Sequence, residues 1–190
     1  MSAVAAEKSV WTPEDYLAWE RAQPEKHAFY QGEIFAMPGA SREHNLLVTN
    51  LVRLLGNALL DKPCEIYPSD MRVKVSMTGL YTYPDVSVVR GEPEFEDNAV
   101  DTLLNPAVIV EVLSDSTERY DRGHKFEQYR TLQSLRDYVL VTQDRVLVEH
   151  FTRQPDGWWG LRELRADDRL DLASVGCEIA VLNVYRKVLG

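Results

Sequence analysis

Two carboxylates stand in apolar runs where a buried strand should have none. Tyr81-Thr82-Tyr83-Pro84-Asp85-Val86-Ser87-Val88-Val89 carries Asp85, and Ala107-Val108-Ile109-Val110-Glu111-Val112-Leu113-Ser114 carries Glu111. An ionised carboxylate loses several kcal/mol or more on leaving water, so acidic residues are almost never fully buried unless paired or bound to a metal. The simplest compensation is one divalent cation shared by both side chains, with Lys125 close behind them. The chemistry that this combination serves is metal-dependent hydrolysis.

Each residue also has a plainer reading. Proline inside a strand implies an edge or a bulge where a side chain is re-aimed, which favours a role for Asp85 after Pro84, yet Asp is also an ordinary residue beside a turn. Glu111 is enclosed by Val108, Ile109, Val110, Val112 and Leu113. Its alternative is an ion pair with a neighbouring strand, and such pairs are rarely kept for stability alone. Lys125 alone reads as a solvated helix lysine; it gains weight because its helix starts soon enough after the Glu111 strand to fold back over the strand end. Glu33, His44 and Asp70 are candidates for a second layer around the carboxylates, although Asp70 equally suits a cap of the turn at Ser69. Arg72, Lys74 and Arg122, with Arg119, His124 and Arg130, flank the acidic strands and are the candidate nucleic-acid contacts. Glu92, Glu94, Glu96, Asp97 and Asp101 crowd one loop away from them. Trp158-Trp159 reads as core plus sheet edge rather than as a base-stacking platform.

The elements that must position these groups follow from periodicity and caps. Thr12-Pro13-Glu14-Asp15 ahead of Tyr16, Leu17 and Trp19 is an N-cap, a first-turn proline and two acids before an apolar face, hence a short helix. Phe29 to Met37, interrupted by Gly32, reads as a bent hairpin. Leu46, Leu47, Asn50, Leu51, Leu54, Leu55 and Leu59 recur at helical spacing behind Ser41 and predict the longest helix. Glu65 to Ser76 and Tyr81 to Val89 predict two strands about Thr78-Gly79, and Ala107 to Ser114 a central strand. Asp121 to Gln133 predicts a helix with Phe126, Tyr129 and Leu132 on one side. Asp137 to Val141 and Arg145 to Arg153 straddle a turn at Gln143-Asp144, Trp158 to Leu164 continues the meander, and Gly176 to Val181 adds an edge strand before a closing helix. The expectation is an α/β or α+β fold with a mixed sheet.

Composition sets bounds. A chain of 190 residues, 45% hydrophobic and 27% charged, suits one soluble domain over residues 1–190 with a flexible tail at 1–10. No apolar run approaches the roughly 18 residues of a membrane span, and no secretory signal pattern is present, which predicts a cytoplasmic protein. Cys64 and Cys177 lie apart from one another and from any Cys/His pattern, which argues against a zinc site or a disulfide framework. A formal charge of -9 weighs against wrapping nucleic acid by bulk electrostatics, but not against a local groove.

Pro84-Asp85, Glu111-Val112-Leu113 and the displaced Lys125 resemble a PD-(D/E)XK phosphodiesterase site whose lysine has moved from its strand to the following helix. More closely, the ordered series His27 to Met37, His44-Asn45, Pro68-Ser69-Asp70-Met71-Arg72-Val73, Tyr83-Pro84-Asp85-Val86, Glu111-Val112-Leu113-Ser114 and Asp121 to Tyr129 resembles the Uma2 family of the restriction-endonuclease-like superfamily. The resemblance covers Trp11 to Phe151. It implies a restriction-endonuclease-like α/β fold, a central mixed β-sheet flanked by helices. It further implies Mg²⁺ or Mn²⁺ held by Asp85, Glu111 and the Val112 carbonyl, with Lys125 orienting the attacking water or stabilising negative charge and Glu33 or His44 behind them. The implied partner is nucleic acid, DNA above all, and the implied assembly a homodimer. Two positions depart from the pattern: Leu113 stands where the superfamily places lysine, and Ala28 where family members often carry Glu. The rival readings are a non-catalytic nucleic-acid-binding or assembly module, and a hydrolase of small phosphodiesters.

Overall fold

The computed structural model describes residues 10–114 and 118–189. The predicted tail therefore lies, save for an exposed Val10, outside the described residues.

Helix α1 (Pro13–Glu20) starts as its sequence dictates: Thr12 has extended backbone, its hydroxyl accepts the Asp15 N–H at 3.1 Å, and Pro13 fills the first turn. Strands β1 (His27–Tyr30) and β2 (Glu33–Ala36) form an antiparallel hairpin. Its two central residues, Gln31 and Gly32, have φ of 50° and 84°, the left-handed pair that matches strand twist. Helix α2 (Arg42–Leu59) begins at Ser41, whose hydroxyl accepts the His44 N–H at 3.0 Å. It buries Leu47, Leu51, Leu55 and Leu59 along one side. Each leucine so buried contributes about 1.5–3 kcal/mol, so the face, not intrinsic propensity, holds this helix in place.

The two strands expected between Glu65 and Val89 are four. Pro68-Ser69-Asp70 and Pro84 each interrupt the ladder, and the chain changes sheets at both places, from β3 (Cys64–Pro68) to β4 (Arg72–Val75) and from β5 (Leu80–Thr82) to β6 (Val86–Arg90). Strands β7 (Thr102–Leu103), β8 (Val108–Val112), β9 (Asp137–Val141), β10 (Val148–Arg153) and β11 (Trp159–Leu164) follow. One sheet has the order β2-β1-β5-β4-β7, the other β11-β10-β9-β8-β6-β3. The latter is mixed, since β8 and β9 run parallel while its remaining neighbours are antiparallel. Strands β12 (Arg169–Leu172) and β13 (Cys177–Ala180) form their own ladder, and helix α5 (Val181–Val184) follows.

Strand β8 is buried on both faces, which is why it reads as a continuous apolar run. Val108, Val110 and Val112 pack with the α2 leucines. Ile109 and Leu113 belong to the opposite core, with Val73, Leu80, Tyr129, Tyr138 and Leu140. Two-residue alternation assigns Glu111 to this second face. Among the described residues no helix is long and apolar enough to cross a membrane.

Candidate active site

The ladder between β6 and β8 pairs Val86 with Val110. One step further along the same antiparallel register sets Asp85 opposite Glu111, on one face of the sheet. Pro84 supplies no N–H, so pairing stops there and the Asp85 side chain turns along the strand end. Its Oδ2 accepts the Val112 N–H at 2.7 Å, and its Oδ1 lies 3.1 Å from His44 Nε2. His44 stands in the first turn of α2, and the cap of that turn is tied to the end of β8 through one side chain. Ser41 Oγ donates to Gln143 Oε1 at 2.6 Å, and Gln143 Nε2 donates to the Leu113 carbonyl at 2.7 Å.

Glu111 receives Lys125 from the opposite side. Helix α3 (Glu118–Tyr120), a π-helical turn (Asp121–Lys125) and α4 (Phe126–Tyr129) run on as one segment. Such turns gather at functional sites because they displace side chains from the regular helical face. Lys125 Nζ lies 2.7 Å from Glu111 Oε1 and 3.4 Å from Asp121 Oδ1, and the Tyr129 hydroxyl donates to the same Glu111 oxygen at 2.9 Å. Asp121, Lys125 and Tyr129 are all buried. They recur every four residues, the spacing that stacks side chains on one helix face. That spacing is the signal in the sequence that points to Asp121 and Tyr129 as further members of the site, beyond the residues that chemistry alone singles out.

Asp85, Glu111, Asp121 and Lys125 line one cleft of about 1090 Å³, walled also by His44 and Val112, with Tyr129 supporting Glu111 from behind. Among its described lining residues acids outnumber lysines and arginines, with Glu25, Glu43, Asp70, Glu118 and Asp144 beside the central carboxylates. Burial pushes the Glu111 carboxyl up to about 8; Lys125 pulls it back, and the Asp121 and Asp85 charges add to the rise. Burial opposes the Lys125 charge as well, but Glu111 and Asp121 outweigh it and raise its pKa above the ordinary lysine value. Burial first, then Glu111, raises Tyr129 far above an ordinary phenol, so its hydroxyl remains a neutral donor.

The donor chemistry fits a hard divalent cation. Two carboxylates facing one another at a cleft are what Mg²⁺ requires, since it takes one or two carboxylates and keeps several waters. Among the described residues no group of three or more His, Cys, Asp and Glu side chains forms a metal cage, so a cation here would depend on further oxygen donors beyond these two carboxylates.

The other sequence candidates lie elsewhere. Glu33 is exposed on β2 and is not among the described residues lining the cleft. Asp70 is exposed at the cleft rim, paired with Lys26 at 3.0 Å. The expectation that Arg72, Lys74 and Arg122 meet nucleic acid does not match their surroundings. Arg72 is buried, donating from Nε to Thr102 at 2.9 Å and from a terminal nitrogen to Tyr83 at 2.8 Å, with Asp101 at 3.0 Å. Lys74 is paired with Glu96, and Arg122 with Glu118 and Glu149. All three cations are paired with carboxylates, Arg72 fully buried and Lys74 and Arg122 partly so. Leu113 and Ala28 are both buried apolar residues, and among the described residues the cation at Glu111 is Lys125.

Comparisons with known proteins agree with this architecture. The chain is 41% identical over 175 residues to "Uncharacterized protein slr1290" of Synechocystis, covering 92% of this chain and 91% of that one. It is also 41% identical over 165 residues to "Uncharacterized protein sll1609" of the same organism, covering 87% and 93%. Its fold matches the crystal structure of "a putative nuclease belonging to DUF820" from Anabaena variabilis with a TM-score of 0.74, at 16% identity over 93% of this chain and 98% of that one. The family model Uma2, described as "Putative restriction endonuclease", matches residues 13–183, and with that span matched the chain belongs to the Uma2 family.

Proposed function

We propose that this protein is a Mg²⁺- or Mn²⁺-dependent endonuclease that hydrolyses phosphodiester bonds of DNA, acting as a cytoplasmic homodimer because a two-fold substrate favours a two-fold enzyme. The observation that carries the reading is the register of Asp85 and Glu111 at one cleft, with Lys125 Nζ 2.7 Å from Glu111. Asp85, Glu111 and the Val112 carbonyl would hold the cation, which when bound would supply charge neutralisation at the phosphate and a more acidic water. The chain's own residues do the rest. His44 and the Val112 N–H fix the Asp85 carboxylate, and Tyr129 fixes Glu111. Asp121 holds the Lys125 ammonium at the cleft and keeps it protonated. Lys125 then orients the attacking water and stabilises negative charge on the phosphate oxygens. The acid surplus along the cleft supports a cation requirement, because a polyanion is repelled until the carboxylates are neutralised.

A second reading is favoured by one observation. Lys125 already compensates Glu111, so the cluster also satisfies itself as a buried ion pair in a non-catalytic binding module. Purified protein incubated with supercoiled plasmid, single-stranded DNA and RNA separates the two. The nuclease reading expects cleavage in millimolar Mg²⁺ or Mn²⁺ and none in EDTA. Binding without cleavage under every metal condition supports the module, and hydrolysis of small phosphodiesters alone would shift the substrate class.

A further inference from the structure

A second pocket, of about 590 Å³, opens beside the edge strand β11 and is lined by Phe126, Arg130, Thr131, Phe151, Trp158 and Trp159. The expectation of core plus sheet edge fits Trp159, which is half-buried on the edge strand at 5.4 Å from Phe126, but not Trp158, which precedes the strand and is 58% exposed. Trp158 is nevertheless placed rather than loose. Its ring lies across Gly160, where a Cβ would come within 3.3 Å of it, so glycine at that position lets the indole lie back against the strand.

One arginine, Arg130, lines this pocket, and Arg153 lies behind it against Trp159. Among the described residues Arg130 has one carboxylate near it, Glu127 at 3.9 Å, and both side chains are more than half exposed, an arrangement too long and too wet to hold the guanidinium. The Arg153 guanidinium stacks over Trp159 with its centre 4.9 Å from the ring, and its buried Nε has no hydrogen-bond partner among the described residues. Burial lowers its pKa and the neighbouring Arg136 lowers it further. The cleft is rich in acid, whereas the described residues lining this pocket include Arg130 and no carboxylate. Phe126 directly follows Lys125, and neighbouring residues of a helix diverge by about 100°, so the same segment serves the cleft with one side chain and the pocket with the next.

We infer that the pocket is a second nucleic-acid contact, in which an unpaired base of a single strand stacks on Trp158 while Arg130 takes an adjoining phosphate. The inference rests on the nucleic-acid substrate proposed above and names the strand state that this substrate presents. Aromatic faces beside cations suit every base, because stacking and phosphate attraction need no particular base edge. An intact duplex hides its base faces and gains nothing from Trp158.

Fluorescence anisotropy with labelled 12-mer single-stranded DNA, the matching RNA and a blunt DNA duplex tests the inference, using full-length wild type, Trp158→Ala, Trp158→Phe and Arg130→Glu. Trp158→Ala is expected to weaken single-strand binding on the order of tenfold and leave duplex binding unchanged, with Trp158→Phe restoring most of the loss. Arg130→Glu is expected to weaken binding and to flatten the salt dependence by about one phosphate contact. DNA and RNA losing affinity alike supports a base-face contact, and loss for only one of them overturns the sequence-tolerant form argued here. Equal single-strand affinity in wild type and Trp158→Ala, or no single-strand binding at all, overturns the inference. So does sedimentation showing that Trp158→Ala dissolves a dimer with oligonucleotide affinity intact, which would assign the surface to a second copy of the chain. The two proposals fail separately: Trp158-dependent binding without cleavage removes the nuclease, and metal-dependent cleavage without a Trp158 effect removes this contact.

Discussion

Lys125→Met is expected to reduce metal-dependent DNA cleavage by about 10²–10³-fold or more while leaving Mn²⁺ affinity equal or higher. The ammonium is the one cation in direct contact with Glu111 among the described residues, and it is buried where water does not screen it. A fixed positive charge there stabilises the charge that develops on phosphate and opposes the entry of a second cation. Its removal therefore separates the two quantities. The fold should tolerate the change, because Glu111, already raised to about 8, takes up a proton when its partner is lost, and Mn²⁺ affinity is therefore compared at about pH 9 or above, where that proton competes least. Circular dichroism confirms the fold before kinetics are read. Cleavage at the wild-type rate would show that Lys125 is not the catalytic cation and would shift attention to Lys26, the next lysine on the cleft wall.

Glu111→Gln is expected to abolish cleavage and, in metal-free protein, to become more stable than wild type as pH rises. The folded-state value near 8 lies above the ordinary 4.5, so between the two the folded protein holds more protons than the unfolded chain. Stability from a neutral Glu111 is then fully present below pH 4.5 and is lost as pH rises through about 8. Glutamine keeps a carbonyl acceptor for Tyr129 and Lys125 and never ionises. Each tenfold difference in proton affinity between the folded and unfolded chain is worth about 1.4 kcal/mol, and part of the gain is offset because Lys125 loses its anionic partner, leaving on the order of 1–3 kcal/mol at pH 9. For a chain of this size that raises Tm by about 2–4 °C per kcal/mol, with little difference at pH 4.5. Thermal unfolding at both pH values checks it. A Glu111→Gln protein less stable than wild type at pH 9 would mean that the ion pair with Lys125 is the purpose of the glutamate.

Much of this site was legible because its central members break a local rule. A carboxylate between valines, and another behind a strand proline, stand out against any apolar run. The four α2 leucines and the Ser41 cap were equally plain, since helical period and capping are local properties. What stayed hidden depends on distant partners. Arg72 on a strand flank looks like a solvent-facing cation; Thr102 and Asp101, which enclose it, are some thirty residues further on. Tyr129 reads as an apolar helix residue until the π-helical turn brings the face of Asp121 and Lys125 over Glu111. The division of the sheet at Pro68 and Pro84 was also beyond local reading. Proline announces that pairing stops, but only the packing decides whether the chain resumes in the same sheet or crosses to another.

The central claim is that Asp85 and Glu111 share a divalent cation. Calorimetric titration of Mn²⁺ into metal-free wild type and Glu111→Ala at pH 8 tests it most directly. A cation shared by the two carboxylates predicts a saturable site in wild type that is lost in Glu111→Ala, accompanied by a metal-dependent rise in Tm in wild type only. Indistinguishable titrations of the two proteins, or an unchanged wild-type Tm in millimolar Mg²⁺ and Mn²⁺, would contradict it and leave Glu111 and Lys125 as a buried ion pair.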